Sequence, residues 1–319
     1  MPNASLRNSS STTRPQEYAE TLIQNVLNDA VQQRQLFPAA AIIRGFSRHP
    51  HKSQWQFTVQ TQGGSFFIKA QELQYLPRFA AEEQSLLSIL ATHTLAVAAP
   101  LATGLVQADN GPSMAYLVLQ HIPLAVHGDW FSAGQQLAQL HGQRSAKGYG
   151  FDRTTWCSEQ PQDNRWNQQW GDFFINQRLL PQIGLLKEKG IHWPELQPAL
   201  DYAAEILEYH NPPASLLHGD LWSGNIGFNP DRHLSYPVLF DPASYYGDAE
   251  VDLAVSELFG RFPQRFYEGY ESIAGNLPGY EQRRPIYQLY HLFNHTLQFG
   301  GSFTQQTAAL LTSLSKPAR

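Results

Sequence analysis

Cysteine is almost absent from this chain: Cys157 is the only one in 319 residues. That excludes an internal disulfide framework and a thiolate-built zinc site, and it fits a reducing compartment. Cys157 itself reads as a small loop side chain. Positive charge is also scarce, with 22 Lys and Arg against 27 Asp and Glu for a net charge of −5. There is no basic stripe to meet a phosphate backbone, so nucleic acid is not an expected partner. Long apolar runs are missing too. The longest, Leu95 to Val106, is interrupted by Pro100 and Gly104 and falls well short of the roughly 20 residues of a membrane span. Residues 1–14 are rich in Ser, Thr and Asn, with no apolar stretch behind their basic residues. They read as a disordered tail rather than a secretory signal, and a cytoplasmic location without membrane attachment is the expectation.

What is present falls into two kinds of pattern. Leu22, Ile23, Val26, Leu27, Ala30 and Val31 recur at helical spacing within Glu17 to Gln35, a helix that Pro38 ends. Trp55 to Thr61 and Ser65 to Lys69 read as strands joined by a Gln62-Gly63-Gly64 turn, which puts Lys69 at a strand end. Pro77 opens a helix whose apolar positions Phe79, Leu86, Leu87 and Leu90 leave Glu82 on another arc. Two more strands, Ala99 to Gln107 and Ala115 to His121, flank Asp109-Asn110-Gly111. Beyond Pro123 the character is helical: Ser132 and Gln135 form a capping-box start for a helix to His141, and Trp166 to Leu180 is aromatic at helical spacing. The expected fold class is α+β in two lobes. Residues 15–121 form an antiparallel-sheet lobe with one key helix, and residues 122–319 form a larger, mostly helical lobe.

The chemistry concentrates in His218-Gly219-Asp220-Leu221-Trp222-Ser223-Gly224-Asn225. This matches a kinase catalytic loop, in which the aspartate takes a hydroxyl proton and an asparagine five residues on binds magnesium. Strands at Ile226 to Phe228 and Tyr236 to Phe240, turning at Asn229-Pro230-Asp231, would bring Asn225 and Asp241 to neighbouring ends of one hairpin as oxygen ligands for Mg2+. Lys69 is the candidate cation for the phosphates, with Glu82 as its partner. A second His-Gly-Asp, at 127–129, has Gly134 where the asparagine would stand and predicts no metal site. His218 reads as a backbone-bonding residue rather than a proton carrier, and Asp252 as either a brace for the loop or a helix-start carboxylate. No Gly-x-x-x-x-Gly-Lys-Ser/Thr run exists, which excludes a P-loop NTPase.

The same loop, together with Phe240-Asp241-Pro242-Ala243-Ser244-Tyr245-Tyr246-Gly247-Asp248, resembles the fructosamine kinase (ketosamine 3-kinase) family, bacterial branch, within the protein-kinase-like superfamily. The resemblance extends to Phe66-Phe67-Ile68-Lys69, Phe79-Ala80-Ala81-Glu82, Trp170-Gly171-Asp172-Phe173-Phe174 and Tyr287 to His295, covering roughly residues 20–315. It implies a two-lobed kinase with ATP between the lobes and Mg2+ as cofactor. The implied substrate is a ketosamine such as fructoselysine or ribuloselysine, free or protein-bound, phosphorylated on a sugar hydroxyl. In that picture Asp220 is the base, Trp222 lines the substrate side, and the backbone at Gln120, His121 and Ile122 holds adenine. One departure is Gly45-Phe46-Ser47-Arg48-His49-Pro50-His51-Lys52, read as a loop with a single glycine where the family carries a glycine-containing loop. Two other readings stay open at the level of sequence: a kinase for an aminoglycoside-like or choline-like hydroxyl, and a nucleotide-binding protein without catalysis.

Overall fold

The structure, a computed structural model, describes residues 13–51, 54–107, 112–230 and 235–316. The tail up to residue 12, Lys52, the Asp109-Asn110-Gly111 turn and Asp231 lie outside them. The described residues fall into two compact units. One comprises the residues up to Glu83 together with Ala99–His121; the other comprises Gln84–Ala98 and the chain from Ile122 onward.

In the first unit, helix α1 (Thr13–Gln32) is followed by strands β1 (Ile43–His49), β2 (Trp55–Thr61) and β3 (Gly64–Glu72). Helix α2 (Leu76–Leu90) starts here and continues into the second unit, which also holds the short strand β4 (Ala96–Val97). Strands β5 (Pro100–Gln107) and β6 (Ser113–Gln120) complete an antiparallel sheet of order β1-β2-β3-β6-β5. Side chains alternate between faces along a strand. Phe57 and Val59, Phe66, Ile68 and Ala70, and Tyr116 and Val118 share one core with Leu22, Ile23, Val26, Leu27 and Ala30 of α1. Lys69, one position out of step with that series, therefore points to the opposite face. Tyr116 also ties α1 down, its hydroxyl donating to Asp29 Oδ2 at 2.7 Å. Gly104 leaves room for this, since a Cβ there would sit 2.6 Å from that hydroxyl oxygen.

Three sequence expectations change. Lys69 does not end its strand: β3 pairs with β6 as far as Glu72↔Met114, so Lys69 sits inside a central strand. The segment from Gly45 is strand rather than loop through His49, because β1 pairs with β2 down to His49↔Gln56. Arg48 there lies over the Trp55 ring at 4.0 Å, a cation–π contact that commits its charge. Helix α1 ends at Gln32, three residues earlier than the expected Gln35.

The second unit holds α3 (Trp130–His141), a small hairpin of β7 (Thr155–Cys157) and β8 (Gln160–Gln162), α4 (Trp170–Phe174), α5 (Leu180–Glu188) and α6 (Leu196–Glu208). Then come β9 (Ser215–Leu216), β10 (Ile226–Asn229), β11 (Tyr236–Leu239), β12 (Tyr246–Gly247), α7 (Glu250–Leu258), α8 (Gln264–Ala274), α9 (Tyr280–Phe299) and α10 (Ser302–Ser315). Helix α3 begins at Trp130, not after Ser132, because Asp129 is its cap and accepts from the Ser132 N–H at 3.0 Å. The second His-Gly-Asp is thus a helix start. The expected Trp166 to Leu180 helix starts only at Trp170 and passes through a π-turn at Ile175–Leu179 before α5. Cys157 lies buried in β7 rather than in a loop. Among the described residues no helix is long and apolar enough to cross a membrane.

Replacing Tyr116 by Phe removes the donor to Asp29 and should cost about 1–2 kcal/mol. Urea unfolding checks this; an unchanged midpoint would show that the bond does not hold α1 to its sheet.

Candidate active site

The loop at 217–225 grows out of a two-stranded ladder. β9 pairs with β12 through Tyr246↔Leu216, and the Leu217 N–H continues the ladder to Tyr245 O at 3.0 Å. The chain then turns through Gly219 at φ +84°. A Cβ at this position would lie 2.2 Å from Ala243 O, so conformation and space both require glycine here.

The turn is held by Asp252, in the first turn of α7 and fully buried. Its Oδ2 accepts from the His218 N–H at 2.7 Å and its Oδ1 from the Gly219 N–H at 2.9 Å. His141 of α3 adds a contact from Nε2 to Oδ2 at 3.1 Å, while its Nδ1 lies 2.8 Å from the Tyr270 hydroxyl. Burial works to raise the Asp252 carboxyl, but the hydrogen bond and charge of His141, the nearby His218 and the Gly219 N–H outweigh it and hold the carboxyl below the usual range. Of the two roles open to Asp252, the geometry is that of the brace. His141 has no motif around it and was not singled out.

His218 is spent on backbone. The Asp220 N–H points at its Nδ1 at 3.3 Å, and its Nε2 meets Phe240 O at 3.0 Å, so the ring hydrogen sits on Nε2. Asn225 donates through Nδ2 to Asp220 O at 2.8 Å and reaches Asp220 Oδ2 at 3.3 Å. With its nitrogen committed, the side-chain oxygen is the atom Asn225 can offer a cation. The β10–β11 hairpin, in register through Ile226↔Leu239, sets Asn225 O against the Phe240 N–H at 3.1 Å. Asp241 follows immediately, exposed and at φ +56°. Non-glycine residues avoid that region, and they keep it mainly where surrounding structure imposes it. The Trp222 ring lies across Gly224, where a Cβ would come within 2.4 Å of it, and meets Phe259 edge-on at 6.3 Å.

In the first unit, Lys69 Nζ bonds Glu82 Oε1 at 2.6 Å, with side chains 5% and 13% exposed. Burial makes the pairing obligatory for both charges. At the end of β6 the Gln120 N–H is taken by Ala99 O at 2.8 Å and the His121 N–H by Ser65 O at 3.3 Å. Burial, then the charge of His49, push the His121 ring below its usual pKa.

Sequence reasoning gave no role to two residues that stand beside Asp220. His291 of α9 places Nδ1 3.6 Å from Asp220 Oδ1 and 3.9 Å from Cys157 Sγ. The only signal for it was a histidine inside the resembling Tyr287 to His295 segment.

Asp252 carries a depressed folded-state pKa, so its contribution to stability is complete above the unfolded value of about 4 and is lost as pH falls through the folded one. Asp252→Asn should cost about 3 kcal/mol at neutral pH, and the gap to wild type should narrow below that value. Denaturation midpoints across the acid range measure this; a constant gap would contradict the brace.

The fructosamine kinase family model matches residues 33–316. A probable ketoamine kinase of Vibrio parahaemolyticus is 38% identical over 252 residues, covering 78% of this chain and 84% of that protein. Another from Synechocystis is 38% identical over 248 residues, with coverage of 77% and 81%. A crystal structure from Haemophilus somnus, provisionally named fructosamine-3-kinase, superposes with a TM-score of 0.83 at 27% identity, covering 93% of this chain and 99% of that one. With these matches along most of its length, this chain belongs to the fructosamine kinase family.

Proposed function

We propose that the protein is a magnesium-dependent ATP kinase that phosphorylates a sugar hydroxyl of ketosamines. The observation that carries this reading is the braced loop. It presents the Asp220 carboxylate, 18% exposed, beside Asn225 and next to a hairpin end bearing Asp241.

Asp220 accepts the proton of the substrate hydroxyl as that oxygen bonds to the terminal phosphorus of ATP; the bond to the ADP oxygen breaks, and the proton passes on to solvent. Two oxygen-bearing side chains, Asn225 and Asp241, make a donor set of the kind magnesium selects. When bound, the ion neutralises phosphate charge. Lys69, fixed by Glu82, supplies a further positive charge to the phosphates. Because the Gln120 and His121 N–H groups already serve the sheet, adenine is assigned to the carbonyls of this segment and to the Ile122 N–H. With Gly45 paired to Gln60 inside β1, phosphate binding relies on Lys69 rather than on glycine amides. Trp222 is assigned to the sugar side. The ketosamine class rests on the relatives, which are themselves named probable ketoamine kinases.

ADP release by the purified protein, with Mg-ATP and fructoselysine, ribuloselysine, choline or kanamycin, tests the reading. Release should occur with the ketosamines alone and require magnesium. Asp220→Asn should lower kcat by about a hundredfold or more while ATP still binds. Release with choline or kanamycin instead would move the substrate class, and silence with all four despite ATP binding would point to a nucleotide-binding protein without transfer.

A further inference from the structure

His291 is buried, its side chain 1% exposed, yet it stands next to the Asp220 carboxylate, the proposed acceptor of the substrate proton. Its two ring nitrogens have opposite surroundings. Nδ1 faces Asp220 Oδ1 at 3.6 Å and Cys157 Sγ at 3.9 Å. Nε2 is buried with no hydrogen-bond partner among the described residues. The titratable groups around the ring are Asp220, Cys157, Tyr290, whose ring stands 5.1 Å away and whose hydroxyl accepts from Gln162, and His295, whose Nδ1 meets His291 O at 2.9 Å.

These neighbours decide where the hydrogen lies. A hydrogen on Nδ1 has acceptors beside it, the Cys157 sulfur as its hydrogen-bond partner and the Asp220 carboxylate just beyond hydrogen-bond distance. A hydrogen on Nε2 would be a buried donor with nothing to receive it, and a doubly protonated ring would bury that donor together with a charge. The ring is therefore neutral and carries its hydrogen on Nδ1. Asp220 is then approached from two sides: Asn225 Nδ2 at Oδ2 and His291 Nδ1 at Oδ1.

The geometry points to His291 as the residue that positions Asp220 for proton transfer. At 3.6 Å the contact is longer than a hydrogen bond, so the neutral ring bounds the position of Oδ1 and faces it with the positive end of its dipole, while the lone pairs of Oδ1 remain available to a hydroxyl. A cationic partner in the same place would aim it equally well but weaken it as a base. Because His291 acts through Asp220, its loss should appear in the chemical step rather than in binding.

The inference deepens the kinase reading and rests on it for its kinetic test. His291→Leu should lower kcat by about ten- to a hundredfold, the size of effect expected from misplacing a reacting group, with KM for ATP and for ketosamine within about threefold of wild type. His291→Asn puts an amide donor close to where Nδ1 lies and should recover most of the lost rate. Leu and Asn variants that both match wild type, or that fall equally, would overturn the positioning role, since simple packing predicts no rescue by Asn. Should wild type itself turn over no ketosamine, the kinase reading fails on its own, and the tautomer is still decided by nitrogen-15 spectra of histidine-labelled protein. The signal lost in His291→Asn should show a protonated Nδ1 and a bare Nε2 at neutral pH; the reverse tautomer, or a doubly protonated ring, would overturn the inference.

Discussion

The backbone N–H groups of His218 and Gly219 both end on the buried carboxylate of Asp252, and the shape of the loop at 217–225 follows from that arrangement. An unpaired charge at full burial would be prohibitively costly. This one is satisfied from three directions, with His141 completing the set. The bonds lock the turn only because residue 219 lacks a Cβ, which would otherwise strike Ala243 O. Three segments far apart in the chain, α3, the loop and the start of α7, are thereby fixed to one another, and Asp220 emerges from the joint with its own N–H tied to His218.

What the brace does for Asp220, the hairpin does for the proposed metal ligands. Register through Ile226↔Leu239 sets Asn225 opposite Phe240, so Asp241 is delivered beside it by strand pairing rather than by a flexible connection. The left-handed backbone at Asp241 costs conformational energy that ordinary loop residues do not bear, which fits a position whose carboxylate direction matters. In the first unit the same logic recurs at smaller scale. Strand alternation sends Lys69 away from the α1 core, and burial forces it onto Glu82.

The parts readable from sequence were those encoded locally. The spacing from Asp220 to Asn225, the strands that carry Asn225 and Asp241, and the turn at Gln62-Gly63-Gly64 each lie within one short stretch, where turn chemistry and alternation suffice. Boundaries that depend on a partner were misplaced. β3 runs past Lys69 because β6 is there to pair with it, β1 absorbs Gly45 to His49 because β2 offers matching edges, and α3 starts at Asp129's cap rather than at the capping-box pattern three residues on. Residues that act across the fold left no local mark. His141 reaches Asp252 across 111 positions, and His291 approaches Asp220 with only its place inside the resembling Tyr287 to His295 segment to draw attention to it.

In the proposed reaction the terminal phosphate of ATP passes to a sugar hydroxyl held beside this loop. Phosphorus-31 NMR of the protein incubated with Mg-ATP and fructoselysine tests it most directly. A new phosphomonoester resonance, coupled to a sugar proton, should grow in step with ADP. Growth of inorganic phosphate and ADP without an ester, or ATP resonances that persist unchanged, would contradict it.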